Sequence, residues 1–247
     1  MRSGRRVCAA ASAAAAFIVC SVCLATGPAR AGDDDEVAHA ILFSGRDFWR
    51  NGAFAYGGML YAPGGLDQDG LLFKFLLSGG LYRYNAGNLG GQQVIGAEWL
   101  AQVLPGFRFT REHFEAKIFM GAEYEYHRLW PDDPDSNLRG RALGLRFAAD
   151  LWYEPTSTTM LAGDVSLSTV GPNYSARGAF GWRVLDQFYA GPETQVYGGD
   201  GYAQWRLGAH ITSFKTGDTE WSAAGGWAID TNDRSSPYLR LGFMQRL

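Results

Sequence analysis

Between Phe114 and Glu154 apolar and polar side chains alternate by twos. Phe114, Ala116, Ile118, Met120, Ala122, Tyr124 and Tyr126 fall on one parity, and Glu115, Lys117, Phe119, Gly121, Glu123, Glu125 and His127 on the other. A Pro/Asp interruption, Trp130-Pro131-Asp132-Asp133-Pro134-Asp135, separates this run from a second. There Leu143, Leu145, Phe147, Ala149, Leu151 and Tyr153 oppose Gly144, Arg146, Ala148, Asp150, Trp152 and Glu154. Period two marks an extended strand with unlike faces. Both runs far exceed the length of an ordinary soluble strand. One face is aliphatic with aromatic ends and the other is charged, the arrangement of a strand between lipid and an aqueous lumen. The stretch predicts a transmembrane hairpin.

The same alternation recurs along the chain. Leu71, Phe73, Phe75 and Leu77 oppose Lys74, Ser78 and Gly80; Ile95, Ala97, Trp99, Ala101 and Val103 oppose Glu98 and Gln102; Trp205, Leu207, Ala209 and Ile211 oppose Gln204, Arg206, Gly208 and His210. Punctuation by Gly, Pro, Asn and Asp divides the chain into twelve runs, near 38–48, 52–62, 70–84, 92–105, 111–128, 139–154, 158–170, 174–184, 187–198, 201–214, 220–230 and 236–246. Pro105-Gly106 and Glu154-Pro155 are read among the turns, which makes the connections on the two sides similar in length. Unpaired strand edges are intolerable in hydrocarbon, so strands of this kind must close on themselves. The predicted fold is all-β: an antiparallel, up-and-down transmembrane β-barrel of about twelve strands. Trp130, Trp152 and Tyr153, near strand ends, are the expected interfacial girdle residues.

The first 31 residues read differently. Arg2, Arg5 and Arg6 precede an apolar run from Ala9 to Leu24, and Ala29-Arg30-Ala31 has the small-x-small form of a cleavage site. This predicts a secretory signal peptide over residues 1–31 and a barrel domain over 32–247, with the mature chain starting at Gly32. All three cysteines, Cys8, Cys20 and Cys23, leave with the leader, so disulfides and thiolate metal sites are excluded from the mature chain. Four arginines leave too. What remains is 18 basic against 25 acidic side chains, a formal charge of −7, with no basic stripe for nucleic acid.

Charges on a membrane-spanning strand are costly unless paired or watered, so Glu115, Lys117, Glu123, Glu125, Arg146, Asp150, Arg206 and His210 are expected to line the lumen. They would form either a selectivity lining or an ion-pair network that fills a narrow barrel. His127 and His210, with Ser166, Ser168 or Ser175, are the residues a barrel lipid hydrolase would need, although no local motif marks them. Asp132, Asp133 and Asp135, with Asn137, read as a solvated acidic loop whose one alternative is calcium. No cofactor or resident metal is expected. Arg139 and Arg141 have lipid-facing parity at a strand mouth, where headgroup phosphates lie within reach.

The block Ala122-Glu123-Tyr124-Glu125-Tyr126-His127 through Pro131-Asp132-Asp133-Pro134, with Arg139-Gly140 and Gly144, resembles the BcsS-type cellulose biosynthesis proteins of alphaproteobacteria. So do Leu42-Phe43-Ser44-Gly45, Tyr174-Ser175-Ala176-Arg177-Gly178 and Gly191-Pro192-Glu193. The resemblance implies an outer-envelope accessory of cellulose production without known catalytic residues. Its expected partners are outer-membrane lipid, and the glucan chain or other components of cellulose synthesis. A small-solute porin is the alternative. Glucan contact would call for exposed aromatics, and Tyr82, Tyr84, Trp182 and Tyr189 are available for it.

Overall fold

The computed structural model describes residues 37–199, 201–231 and 234–247. The expected leader and cleavage site before Gly32 lie outside the described residues. The described chain forms twelve strands: β1 (Ala40–Trp49), β2 (Gly52–Tyr61), β3 (Gly70–Ala86), β4 (Gln92–Arg111), β5 (Phe114–Trp130), β6 (Gly140–Thr156), β7 (Thr159–Ser168), β8 (Tyr174–Val184), β9 (Phe188–Gly199), β10 (Tyr202–Thr216), β11 (Thr219–Asp230) and β12 (Ser235–Arg246). Each pairs antiparallel with its sequence neighbours. β12 returns to β1, with Ile41 opposite Arg246 and Trp49 opposite Tyr238, which closes the barrel. No helix among the described residues is long and apolar enough to span a membrane, which says nothing of a β-barrel, since barrels cross with strands.

Two expected turns are strand instead. β4 runs through Pro105-Gly106 to Arg111, and the turn falls at Glu112, which adopts the left-handed region at φ 45°. Proline has no N–H to donate, yet the pairing continues from Val103 opposite Ala122 to Gly106 opposite Phe119, three residues on each strand. The proline therefore interrupts the ladder without shifting it. At Glu154-Pro155 the extra residue is absorbed by a register shift between Tyr153 and Thr156, and β6 ends at Thr156. Both corrections shorten turns on the side that holds the termini, here the terminal rim. Apart from 62–69, its connections are the short segments 112–113, 157–158, 185–187 and 217–218. The far rim carries the longer 87–91, 131–139 and 169–173 beside the two-residue 50–51. This asymmetry, hidden by the misread prolines, is the one seen in bacterial barrels with short periplasmic turns and longer outer loops.

The parity holds around the barrel. Leu77, Leu143, Leu145, Leu167, Trp205 and Leu207 are outward and exposed, each on the parity opposite a lumen-facing neighbour. Six tryptophans, Trp99, Trp130, Trp182, Trp205, Trp221 and Trp227, point out. Trp152 does not: it lies on the inward parity of β6 and donates to Glu154 at 3.1 Å, so of the three expected girdle residues only Trp130 and Tyr153 belong there. Glycines allow the inner wall to seat rings. Phe43, Phe54, Tyr82 and Phe119 each lie directly across from Gly58, Gly80, Gly96 and Gly106, where a Cβ would sit within 2.5 Å of the ring.

Facing is directly testable. Leu145→Arg puts a guanidinium into hydrocarbon and is expected to cost about 2–4 kcal/mol in folding titrations into lipid vesicles. Ala142→Arg, inward and opposite Glu125, should cost far less. Comparable losses at both would refute the register. Ala148 is not a suitable inward control, because it is buried with Leu104 and Phe119.

Candidate functional site: the lumen and its far rim

Near the terminal rim the lumen holds an apolar cluster. The β2–β3 connection folds inward and buries Leu66 fully against Leu60, Leu72, Leu104, Phe119 and Ala148. Its ends are tied to the rim by ion pairs of Asp67 with Arg246, at 2.8 Å, and Asp69 with Arg111, at 2.6 Å. Burial of this cluster explains why Phe119 breaks the polar parity of β5: it faces a packed interior, not water.

Charge borders this cluster as well as filling the rest of the interior, with Lys74 5.2 Å over the Phe119 ring and Glu115 and Lys117 on the rim side of Phe119, and the expected set assembles as separate groups. Glu123, fully buried, accepts from Gln102 at 2.6 Å, from Arg146 and from Ser168. Arg146 also reaches Ser166, and Asn173 at 3.1 Å. Glu125 is 3.1 Å from His127, whose other ring nitrogen is 3.1 Å from the Tyr82 hydroxyl. Glu115 pairs with Lys117 and with Arg108. Asp150 takes Lys74 at 3.4 Å, and Arg206 forks onto both oxygens of Asp47 at 2.8 and 2.9 Å. His210 points at the Phe180 carbonyl, 3.1 Å away.

Parity alone did not single out several partners. Glu193, with 1 % exposure, sits between Arg177 at 3.1 Å and Arg240 at 2.5 Å, and Arg177 also holds Asp164 at 2.5 Å. The signal was present, since each is a charge on the inward parity of its strand. Three of these pairs, Lys74–Asp150, Arg206–Asp47 and Arg240–Glu193, join strands three places apart in the barrel order, so they are chords across the lumen.

The hydrolase geometry is not assembled. Ser166 is engaged by Arg146 and Ser168 by Glu123, while the ring nitrogens of His127 and His210 meet the partners given above. In the acidic loop, Asp132 pairs with Arg139 at 3.1 Å. Asp133 is buried and accepts from Tyr84 at 2.7 Å and Asn88 at 2.8 Å, contacts that hold its carboxyl below the usual carboxylate range. Its neighbour Asp135 is exposed and gives only its backbone N–H to Asp133, at 3.3 Å. Asp133 therefore pins the β5–β6 connection to the β3–β4 connection, and the carboxylates do not converge on a common point.

Aromatic rings collect at the far rim of the interior. Tyr82 and Tyr84 stack at 6.3 Å, and on the adjoining β1–β2 hairpin Trp49 stacks on Phe54 at 5.6 Å, with Tyr197 and Tyr202 beside it. Trp182 faces lipid and Tyr189 is buried, so of the four candidates for glucan contact only Tyr82 and Tyr84 are placed at an inner mouth.

The family model described as cellulose biosynthesis protein BcsS matches residues 41–247, the whole of the barrel from β1 onward. The chain belongs to the BcsS family. Among curated proteins none matches it. Solved barrels similar to it include the β domain of the Bordetella autotransporter BrkA (10 % identity, 86 % of this chain and 100 % of that one, TM-score 0.48) and the KdgM porin (10 %, 84 % and 99 %, 0.44). The transport unit of the autotransporter AIDA-I from Escherichia coli is a third (9 %, 87 % and 92 %, 0.45). The residues that carried the sequence resemblance acquire a structural meaning within the BcsS family assignment. Glu123, Glu125, Arg177 and Glu193 all belong to the interior ion-pair groups.

Proposed function

We propose that this protein is a non-enzymatic outer-membrane accessory of cellulose biosynthesis, one that engages the glucan at its far rim and does not conduct it through the lumen. The observation that carries the reading is the set of chords, Lys74–Asp150, Arg206–Asp47 and Arg240–Glu193. A polysaccharide threading the barrel would have to break these pairs and the apolar cluster around Leu66, and for Arg206–Asp47 and Arg240–Glu193, each with one fully buried member, loss of a partner is strongly unfavourable. Contact at the mouth instead uses what is already there. Tyr82 and Tyr84 present ring faces at the rim, and flat apolar faces are what a glucose ring stacks upon. An exported barrel has no access to a cytoplasmic nucleotide-sugar donor, so its leverage comes after polymerisation, in retaining or bundling the polymer.

Deletion of the gene should lower the cellulose retained at the cell surface several-fold, while glucan synthesis by isolated inner membranes stays unchanged. Tyr82→Ala/Tyr84→Ala should reproduce the loss with normal barrel levels. The purified protein in a planar bilayer should give no steady conductance. A stable conductance whose ion selectivity shifts with Glu123→Gln/Glu125→Gln would replace this reading with that of a porin. Normal cellulose in the deletion strain would leave only the barrel.

A further inference from the structure

Outside the barrel, one flank of the far rim carries clustered positive charge. Arg83 on β3, Arg128 on β5 and Arg141 on β6 are all outward and exposed, on strands that are otherwise apolar on that face. The pairing places them together. Arg83 lies across from Ile95, which is across from Trp130; Arg128 lies across from Ala97; Arg141 lies across from Tyr126. Arg50, exposed in the β1–β2 turn, joins the patch, with its carbonyl 2.6 Å from the Arg83 guanidinium. Arg139 adds a fifth guanidinium but is matched by Asp132. Among the described residues no carboxylate forms an ion pair with Arg50, Arg83, Arg128 or Arg141.

Three features define what the patch faces. It is level with the end of the apolar belt: the next outward residues toward the membrane centre are Leu81, Tyr126 and Leu143. It is flanked by Trp99 and Trp130, exposed side chains of the type that sits at headgroup depth. And it is one-sided, because on β7 to β12 the outward residues near the same rim are Leu167, Tyr174, Val196, Trp205, Ile229 and Pro237, none of them charged. A uniform attraction to an anionic surface would not need clustering on four adjacent strands. Guanidinium groups spaced along a strand-to-strand ladder suit bidentate capture of more than one phosphate on a single headgroup.

We infer that the β3–β6 flank of the far rim is a binding site for a phosphorylated glycolipid of the outer leaflet, with Arg83, Arg128 and Arg141 on its phosphates and the belt below them on its acyl chains. Such a lipid would fix the depth and rotation of the barrel beneath the β5–β6 connection, beside the Tyr82–Tyr84 mouth.

The test uses the mature chain refolded in detergent and presented with bis-phosphorylated lipid A, the dephosphorylated form of the same lipid, or inorganic phosphate, with bound lipid read by native mass spectrometry. Retention of the phosphorylated lipid should exceed that of the dephosphorylated one by at least about tenfold. Arg83→Gln/Arg128→Gln/Arg141→Gln should abolish the difference while the heat-modifiable mobility of the folded barrel is kept. Arg46→Gln, an exposed outward arginine of β1 away from the patch, should leave it intact. Equal retention of the two lipids, or full retention by the folded triple variant, overturns the proposal. So does complete displacement by equimolar inorganic phosphate, which would make the patch a free-phosphate site.

Discussion

Arg206→Met is expected to lower the stability of the folded barrel by about 3–5 kcal/mol, the cost of taking one partner from a buried charged pair. Arg206 is the most enclosed cation of the interior, with 1 % exposure. Its guanidinium forks onto Asp47 across the lumen, donates to Gln204 at 2.7 Å and to the Tyr197 hydroxyl at 2.9 Å, and lies over the rings of Trp49, Tyr197 and Tyr238 at 4.9–5.1 Å. Methionine fills much of the volume but leaves Asp47 without its cation and removes the cation–π contacts. Arg206→Lys retains the charge yet cannot reproduce a planar fork that serves three partners at once, so it should recover only part of the loss. Urea titration of folding into phospholipid vesicles measures both. A loss below about 1 kcal/mol for Arg206→Met would mean that water reaches the pair and screens it, and the chord would then be no obstacle to a solute.

Much of the fold was legible because the membrane simplifies the code. With lipid outside and polar groups inside, each strand announces its faces by parity, and all twelve strands lie close to the runs read from the alternation. Proline was the misleading signal. Pro105 and Pro155 look like turns by the rules of soluble sheets, yet Pro105 sits inside a ladder that keeps its register on both sides and Pro155 within a local shift. The interior was legible as a list of inward charges but not as a set of pairs. Nothing in local sequence joins Arg206 to Asp47, 159 residues away, or Arg240 to Glu193; barrel closure and the stagger of the strands bring them together. The rule that charges face inward also failed informatively. Arg83, Arg128 and Arg141 keep the lipid-facing parity because they lie where the hydrocarbon ends.

The apolar cluster and the chords together give the barrel two different seals. Near the terminal rim the seal is Leu66 and its neighbours, stabilised by loss of water-exposed surface and indifferent to salt. At the edge of that cluster, in Lys74–Asp150, and in the rest of the interior the seal is electrostatic, and its strength depends on how dry the interior is. That dependence makes the central pair a probe of the lumen itself.

Glu123 and Arg146 allow a double-mutant cycle that decides between a filled interior and an aqueous one. Arg146→Met strands a fully buried carboxylate with only Gln102 and Ser168 as donors, and should cost about 3–5 kcal/mol. Glu123→Leu should cost less, because Arg146 keeps Asn173 at 3.1 Å and has Glu125 at 3.8 Å. The double variant Glu123→Leu/Arg146→Met removes both charges and puts apolar atoms in their place. In a dry interior it should return to within about 1–2 kcal/mol of the parent, since an apolar pair of similar volume replaces a buried ion pair at little cost. In a water-filled lumen the outcome differs in form: each single change costs under about 1 kcal/mol, the coupling energy falls toward zero, and added salt weakens what is left. Folding titrations at two salt concentrations distinguish these results. A coupling of several kcal/mol that is insensitive to salt supports a barrel that holds its glucan at the mouth; a small, salt-sensitive one removes the main argument against passage through the lumen.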